Sequence, residues 1–129
     1  MDPRFPTGRF SFDPAVTTAS RRACIDAIGA LPAELRAAVD ALPASGLDRP
    51  YRPGGWTARQ VVHHVADSHM NAYVRVRLAL TEDNPTVRPY EEARWAELID
   101  ARGGDPAVSL ALLDALHARW TMLLESLTP

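Results

Sequence analysis

Three of the four histidines in this sequence stand close together, in the run Val62-His63-His64-Val65-Ala66-Asp67-Ser68-His69. Imidazole can ligate a metal or carry a proton near neutral pH, so the directions these rings take decide what the run can do. On a helix that turns about 100° per residue, His64, Ser68, Asn71 and Arg75 form one polar stripe beside an apolar face. His63 and Asp67 share the opposite side and are expected to face water. His69 follows the other edge of the apolar stripe, and a partly buried ring bonded to a neighbouring helix is expected there. The three rings therefore do not converge on one metal ion from this helix alone, because one helix face offers two ligands at most. His64 stands out because its stripe borders core rather than open water. On periodicity alone, a histidine satisfied within the core is a plainer reading of it than a ligand.

The other reactive side chains make weaker cases. Cys24 falls on the apolar face of a helix and reads as a small core residue rather than a nucleophile. Ser68 lies one turn from His64, but without an orienting acid or oxyanion donors the pair is not a catalytic case. Tyr90, Glu91 and Glu92 could supply oxygens, though acidic residues are expected in a helix's first turn. His117 sits beside Leu116 and Trp120 and reads as a boundary residue. There is no Gly-rich phosphate loop.

The elements that must position these groups are helical throughout. Asp13-Pro14 is a helix start, since the Asp oxygen can accept free backbone N–H groups and Pro loses no bond in the first turn. Val16, Ser20, Cys24, Ile28 and Leu31 then mark one face, and Pro32 predicts a kinked helix or two consecutive ones continuing through Leu35, Val39 and Leu42. Pro43 to Gly55 is rich in Pro and Gly and reads as a long surface connection. Thr57 and Gln60, after Trp56, form a capping box that opens the histidine-bearing helix, whose buried stripe is expected at Val61, Val65, Ala72, Val76 and Ala79. A short helix is expected from Tyr90 to Asp100, turned inward on Trp95 and Leu98. Asp105-Pro106 opens the last helix, with Leu113, Leu116, Trp120, Leu123 and Leu127 along one stripe. No segment alternates with period two, so the fold class is all-α, a helical bundle forming a single domain over 1–129.

Bulk properties narrow the function classes. The chain of 129 residues is 47% hydrophobic, with a formal net charge of −2, which disfavours a nucleic-acid partner. The apolar runs are short, so no membrane span is expected. A lone cysteine and the absence of a signal pattern make the cytoplasm the expected location.

Several stretches together resemble the YfiT branch of the DinB superfamily of metal-dependent hydrolases and thiol transferases. They are Phe5-Pro6-Thr7-Gly8-Arg9-Phe10, Tyr51-Arg52-Pro53-Gly54-Gly55-Trp56-Thr57, and the run from Val61 through the histidines to Asn71. Leu80-Thr81-Glu82-Asp83-Asn84-Pro85, Pro89-Tyr90-Glu91-Glu92 with Trp95-Ala96, and Leu116-His117-Ala118-Arg119-Trp120 complete the match. The resemblance implies a four-helix bundle that binds one divalent metal, zinc or nickel, through three histidines. The first ligand of that family lies eight residues after the Trp of Gly-Trp-Thr, which is His64 here. It also implies a homodimer, and in some relatives the transfer of low-molecular-weight thiols such as bacillithiol or mycothiol. The other two ligands of the family belong to a His-rich final helix, and this sequence ends at Leu127-Thr128-Pro129, before such a helix. The expectation is thus a bundle lacking its final helix, with His64 as the one ligand present. The alternative is a catalytically incomplete binding or structural module that needs a partner chain.

Overall fold

The computed structural model describes residues 1–128, which form three long helices and two short ones. They are α1 (Thr18–Asp40), α2 (Ala58–Thr81), α3 (Glu92–Trp95), α4 (Ile99–Gly103) and α5 (Pro106–Ser126). Among the described residues there is no strand, and one isolated antiparallel bridge, Pro50 to Thr57, closes the loop before α2.

The start of α1 differs from its sequence expectation. Asp13 accepts a hydrogen bond from the Ala15 N–H at 2.9 Å, which makes a local turn. The helix begins later, where Thr17 accepts from the Ser20 N–H at 3.0 Å and the Ser20 hydroxyl oxygen accepts from the Thr17 N–H at 2.9 Å. That reciprocal pair satisfies two free donors and outcompetes the Asp-Pro signal upstream. Pro32 lies inside one unbroken helix rather than dividing two. The expected starts of the other long helices hold. Thr57 and Gln60 form the capping box of α2, and Asp105 accepts from the Ala107 N–H at 2.9 Å with Pro106 in the first turn of α5. Replacing a cap of this kind costs about 1 kcal/mol.

Helix α5 lies between α1 and α2 and packs on both, while α3 and α4 lie against α2. The core follows from that arrangement: Ile25 of α1, Val62 and Ala66 of α2, and Leu110, Leu113 and Trp120 of α5 are buried. By length and composition α5 is also apolar enough to cross a membrane, with a mean hydropathy of 1.2, which the short apolar runs had not suggested. Its apolar side chains include the central core residues, Leu113 among them at 0% exposure. The C-terminal end of α5 is held by α1, because the Arg21 guanidinium donates to the Leu124 and Leu127 carbonyls at 2.8 and 2.6 Å. A cation there also offsets the negative end of the helix dipole.

Other expectations need correction. The segment from Tyr90 to Asp100 is not one helix but two short ones, and its inward residue is Ala96, while Trp95 and Leu98 are exposed. On α1 the buried residues are Ile25 and Pro32, one position round from the expected stripe. Cys24 is exposed and lines an open apolar groove of about 560 Å³ with Phe10, Phe12, Val16 and Trp120. On α2 the expected stripe is also displaced. Gln60, Val62, His63 and Ala66 are buried, Val61, Val65, Ala72 and Val76 are half-buried, and Ala79 is exposed. The periodicity did locate an apolar face on α2, but it is the face that the other described helices leave half-covered.

Candidate functional site

The four histidines divide into two hydrogen-bonded pairs between α2 and α5 and one ring with no such bond. His63, expected in water, is buried at 8% exposure. Its Nε2 donates to the Gly104 carbonyl at 2.9 Å, because a carbonyl can only accept. In the tautomer that this bond selects, Nδ1 carries a lone pair, and the Ser109 hydroxyl donates to it at 2.6 Å. The same side of α2 holds the α3–α5 segment through Gln60, whose Nε2 donates to the Ala96 carbonyl at 2.7 Å. Arg59 donates to the Gly104 carbonyl at 3.0 Å. Two of these acceptors are backbone atoms of a connecting segment without helical periodicity. Hydropathy patterning gives no warning that such a segment will cover a polar face.

His117 is the second correction. It is buried at 2% exposure, not a boundary residue. The missed signal was its spacing, four residues after Leu113 and three before Trp120, both buried core residues of α5. Its Nδ1 donates to the Ile28 carbonyl at 2.6 Å. Its Nε2 lies 2.7 Å from Nδ1 of His69, as the expectation of a half-buried His69 bonded to a neighbouring helix requires. The two rings stack with centroids 4.9 Å apart, and each meets the Trp120 ring edge-on. Burial, then the neighbouring His117 and His64 rings, hold His69 below the ordinary histidine pKa. It is therefore neutral at physiological pH.

His64 is half-buried and rests against Trp56, ring centroids 4.8 Å apart and tilted by 49°. It makes no hydrogen bond among the described residues, so its ring nitrogens are uncommitted. The polar stripe it heads takes the direction expected: Arg75 donates to the Arg88 carbonyl at 3.1 Å, and Asn71 donates back to the Asp67 carbonyl at 2.8 Å. Ser68 does not orient His64. It lies toward Tyr90, whose buried hydroxyl closes no hydrogen bond among the described residues. Burial pushes the Tyr90 phenol above its ordinary pKa. Asp67 is half-buried, and its carboxyl pKa is raised, first by burial and then by Asp100.

The donor chemistry of His64 fits a divalent transition metal: an imidazole with uncommitted nitrogens beside an apolar face. The set does not close, since no group of three or more potential ligands converges among the described residues.

The fold is a helical bundle, and bundles place their functional side chains on faces turned between helices, as the half-covered face of α2 is. The chain belongs to the DinB superfamily, whose family model matches residues 27–129. YfiT of Bacillus subtilis (strain 168), named "Putative metal-dependent hydrolase", is 49% identical over 124 residues, which are 96% of this chain and 70% of that protein. A protein of the same description from Bacillus mycoides (strain KBAB4) is 52% identical over 128 residues, covering 99% of this chain and 73% of its own. A solved structure of Bacillus subtilis YfiT matches with a TM-score of 0.95 at 48% identity, over 99% of this chain and 73% of that one. It is described as a probable metal-dependent hydrolase with an unusual four-helix bundle topology. The all-α bundle read from the sequence is thus the fold of a close relative.

Proposed function

We propose that this chain carries the histidine-bearing part of a metal-dependent hydrolase and that His64 is a metal ligand, with zinc or nickel as the ion. The observation that carries the reading is the state of His64. Alone among the histidines it makes no hydrogen bond among the described residues, and it stands on the half-covered face of α2. The names of the relatives supply the reaction class. When bound, such a metal would acidify a water or polarise the bond to be cleaved. The residues of this chain contribute the α2 face that receives the substrate, with apolar Val65 and Ala72 between polar Ser68 and Arg75 on one edge and His69 on the other.

The resemblance assigns the remaining ligands to a final His-rich helix. Isothermal titration of zinc or nickel into this chain should therefore give weak binding. A fusion carrying the final helix of YfiT should bind one ion per chain tightly, and His64→Ala should abolish that binding. Tight binding by the fusion that survives His64→Ala would sink the assignment. For assembly we propose a homodimer in the cytoplasm. The apolar groove lined by exposed Phe10, Phe12 and Val16 supports self-association, and the unpaired Cys24 thiol supports a reducing compartment. Sedimentation across a wide concentration range should show a monomer–dimer equilibrium, and a monomer throughout would refute it.

A further inference from the structure

Three helices meet at the His69–His117 pair, and together they fix where every proton on it sits. The Ile28 carbonyl of α1 can only accept, so His117 carries its proton on Nδ1. In the tautomer that this bond selects, His117, enclosed at 2% exposure, has a lone pair on Nε2. The 2.7 Å contact from that atom to Nδ1 of His69 needs one proton, and His69 must supply it. His69 is left with an unprotonated Nε2, which has no hydrogen-bond partner among the described residues. A ring oriented through its far nitrogen, with the near one free, is how proteins hold a catalytic base. Two aromatic edges from Trp120 pack the pair and limit ring rotation.

The free nitrogen also has a location. His64 and His69 are five residues apart on α2, so they diverge by about 140° and stand roughly 7.5 Å apart along the axis. From Val61 to Val76 the residues between those directions are Arg75 and Ser68, nearest His64, then Val61, Ala72, Val65 and Val76, all half-buried. A small molecule lying across Val65 would meet His64 at one side and His69 at the other.

We propose that His69 is the proton acceptor of this site and His117 its positioning residue, the inference resting on the hydrolase reading above. In the step assigned to it, an O–H bond of the attacking water breaks and its proton moves to Nε2 of His69. The electron pair stays on oxygen and forms the new bond to the substrate's electrophilic centre. His69 then returns the proton to the leaving atom as the scissile bond breaks, which restores the neutral pair. Base catalysis of this kind contributes on the order of 100-fold or more to the rate.

Imidazole nitrogen NMR of this chain at neutral pH tests the proton positions directly. His117 and His69 should both be protonated on Nδ1 and bare on Nε2. A charged His69, or one protonated on Nε2, overturns the proposal. Diethyl pyrocarbonate, which acylates bare imidazole nitrogens, should modify His69 much faster than His63 or His117, as read by peptide mass mapping. His117→Gln should slow modification of His69 several-fold, and an unchanged rate in a folded variant would overturn the positioning role. In the nickel-loaded YfiT-helix fusion, with p-nitrophenyl acetate as probe, His69→Gln should lower kcat about 100-fold without changing metal affinity. Free imidazole should partly rescue His69→Gly, and a loss of metal binding in either variant would make His69 a ligand instead. If the fusion hydrolyses nothing, the hydrolase reading and the proposed base role fall together. The NMR and acylation results would still show whether the base is built.

Discussion

His63 and His69 stand six residues apart on α2, and each ring bonds through Nδ1 to a polar side chain of α5. They differ at the other nitrogen. On His63 the second nitrogen is also taken, by the Gly104 carbonyl, while on His69 it is free. A ring closed at both ends is a cross-link between elements, and its contribution is to stability. A ring closed at one end is aimed, and what remains open can do chemistry. His64 makes no such bond and is the ring to which a metal adds the least competition. The roles proposed for the three rings of this run thus divide by hydrogen-bond occupancy rather than by residue type.

Breaking the closed ring should have the largest effect on stability. His63→Ala would empty a buried position and leave the Ser109 hydroxyl without its acceptor and the Gly104 carbonyl to Arg59 alone, and should cost about 2–4 kcal/mol in urea unfolding. His117→Ala should cost about as much, since it empties a core position and strands the Ile28 carbonyl. If either variant loses less than about 1 kcal/mol, these bonds are not formed in solution and the comparison fails.

The open ring should behave in the opposite way. His64→Ala removes a half-buried side chain with no hydrogen bond and should change the stability of this chain by about 0.5–1 kcal/mol, mostly through its contact with Trp56. Loss of tight metal binding in the fusion, beside so small a stability change, would sharpen the division between the two rings. A stability loss as large as that of His63→Ala would erase it.

How far this division was legible in the sequence differs from residue to residue. The Thr57 and Gln60 capping box located the start of α2, and the expectation of a half-buried His69 bonded to a neighbouring helix holds. His64, by contrast, read as a histidine satisfied within the core, is half-buried and unbonded among the described residues. The helical wheel failed for His63, because it assumed that a polar side faces water. Here that side is covered by a connecting segment whose carbonyls, together with the Ser109 hydroxyl of α5, satisfy it, a form of burial that leaves no hydrophobic signature. The apolar stripe of α2 was found but assigned too much burial, since a sequence displays an apolar face without saying which helix covers it. On α1 the Asp-Pro start lost to the Thr17–Ser20 box because both are local signals, and periodicity does not rank them.

The pH dependence of stability separates the aimed ring from the unfolded chain. The folded pKa of His69 lies below its ordinary 6.5, so the unfolded chain takes up that proton more readily. The stability linked to His69 is full above the unfolded value and is lost as pH falls through the folded one. Chemical denaturation should show the parent weakening as the solution is acidified below the histidine range. His69→Gln should flatten that limb, and an unchanged slope would mean that the ring titrates as it does in water.

Asp67 gives the smallest effect and has the opposite sign. It shares its side of α2 with His63, yet its carboxyl makes no side-chain hydrogen bond among the described residues. Burial first, and then Asp100, raise its pKa above the ordinary 3.8, against the opposing pull of His64 and His63. A raised carboxyl favours the neutral acid in the fold. Its stabilising contribution is present below the unfolded pKa and disappears as pH rises through the folded one, which leaves a half-buried charge as a liability at neutral pH. Asp67→Asn keeps the size and removes the charge, and the Asn71 bond to the residue 67 backbone carbonyl is untouched. The variant should melt at a higher temperature than the parent at neutral pH, and the difference should vanish in acid, where the parent carboxyl is already protonated. A variant that is less stable at neutral pH would mean that the carboxylate is paired with a charged His63 or His64. His63 would then be cationic rather than a neutral cross-link, and the contrast with His69 would have to be redrawn on charge instead of hydrogen-bond occupancy.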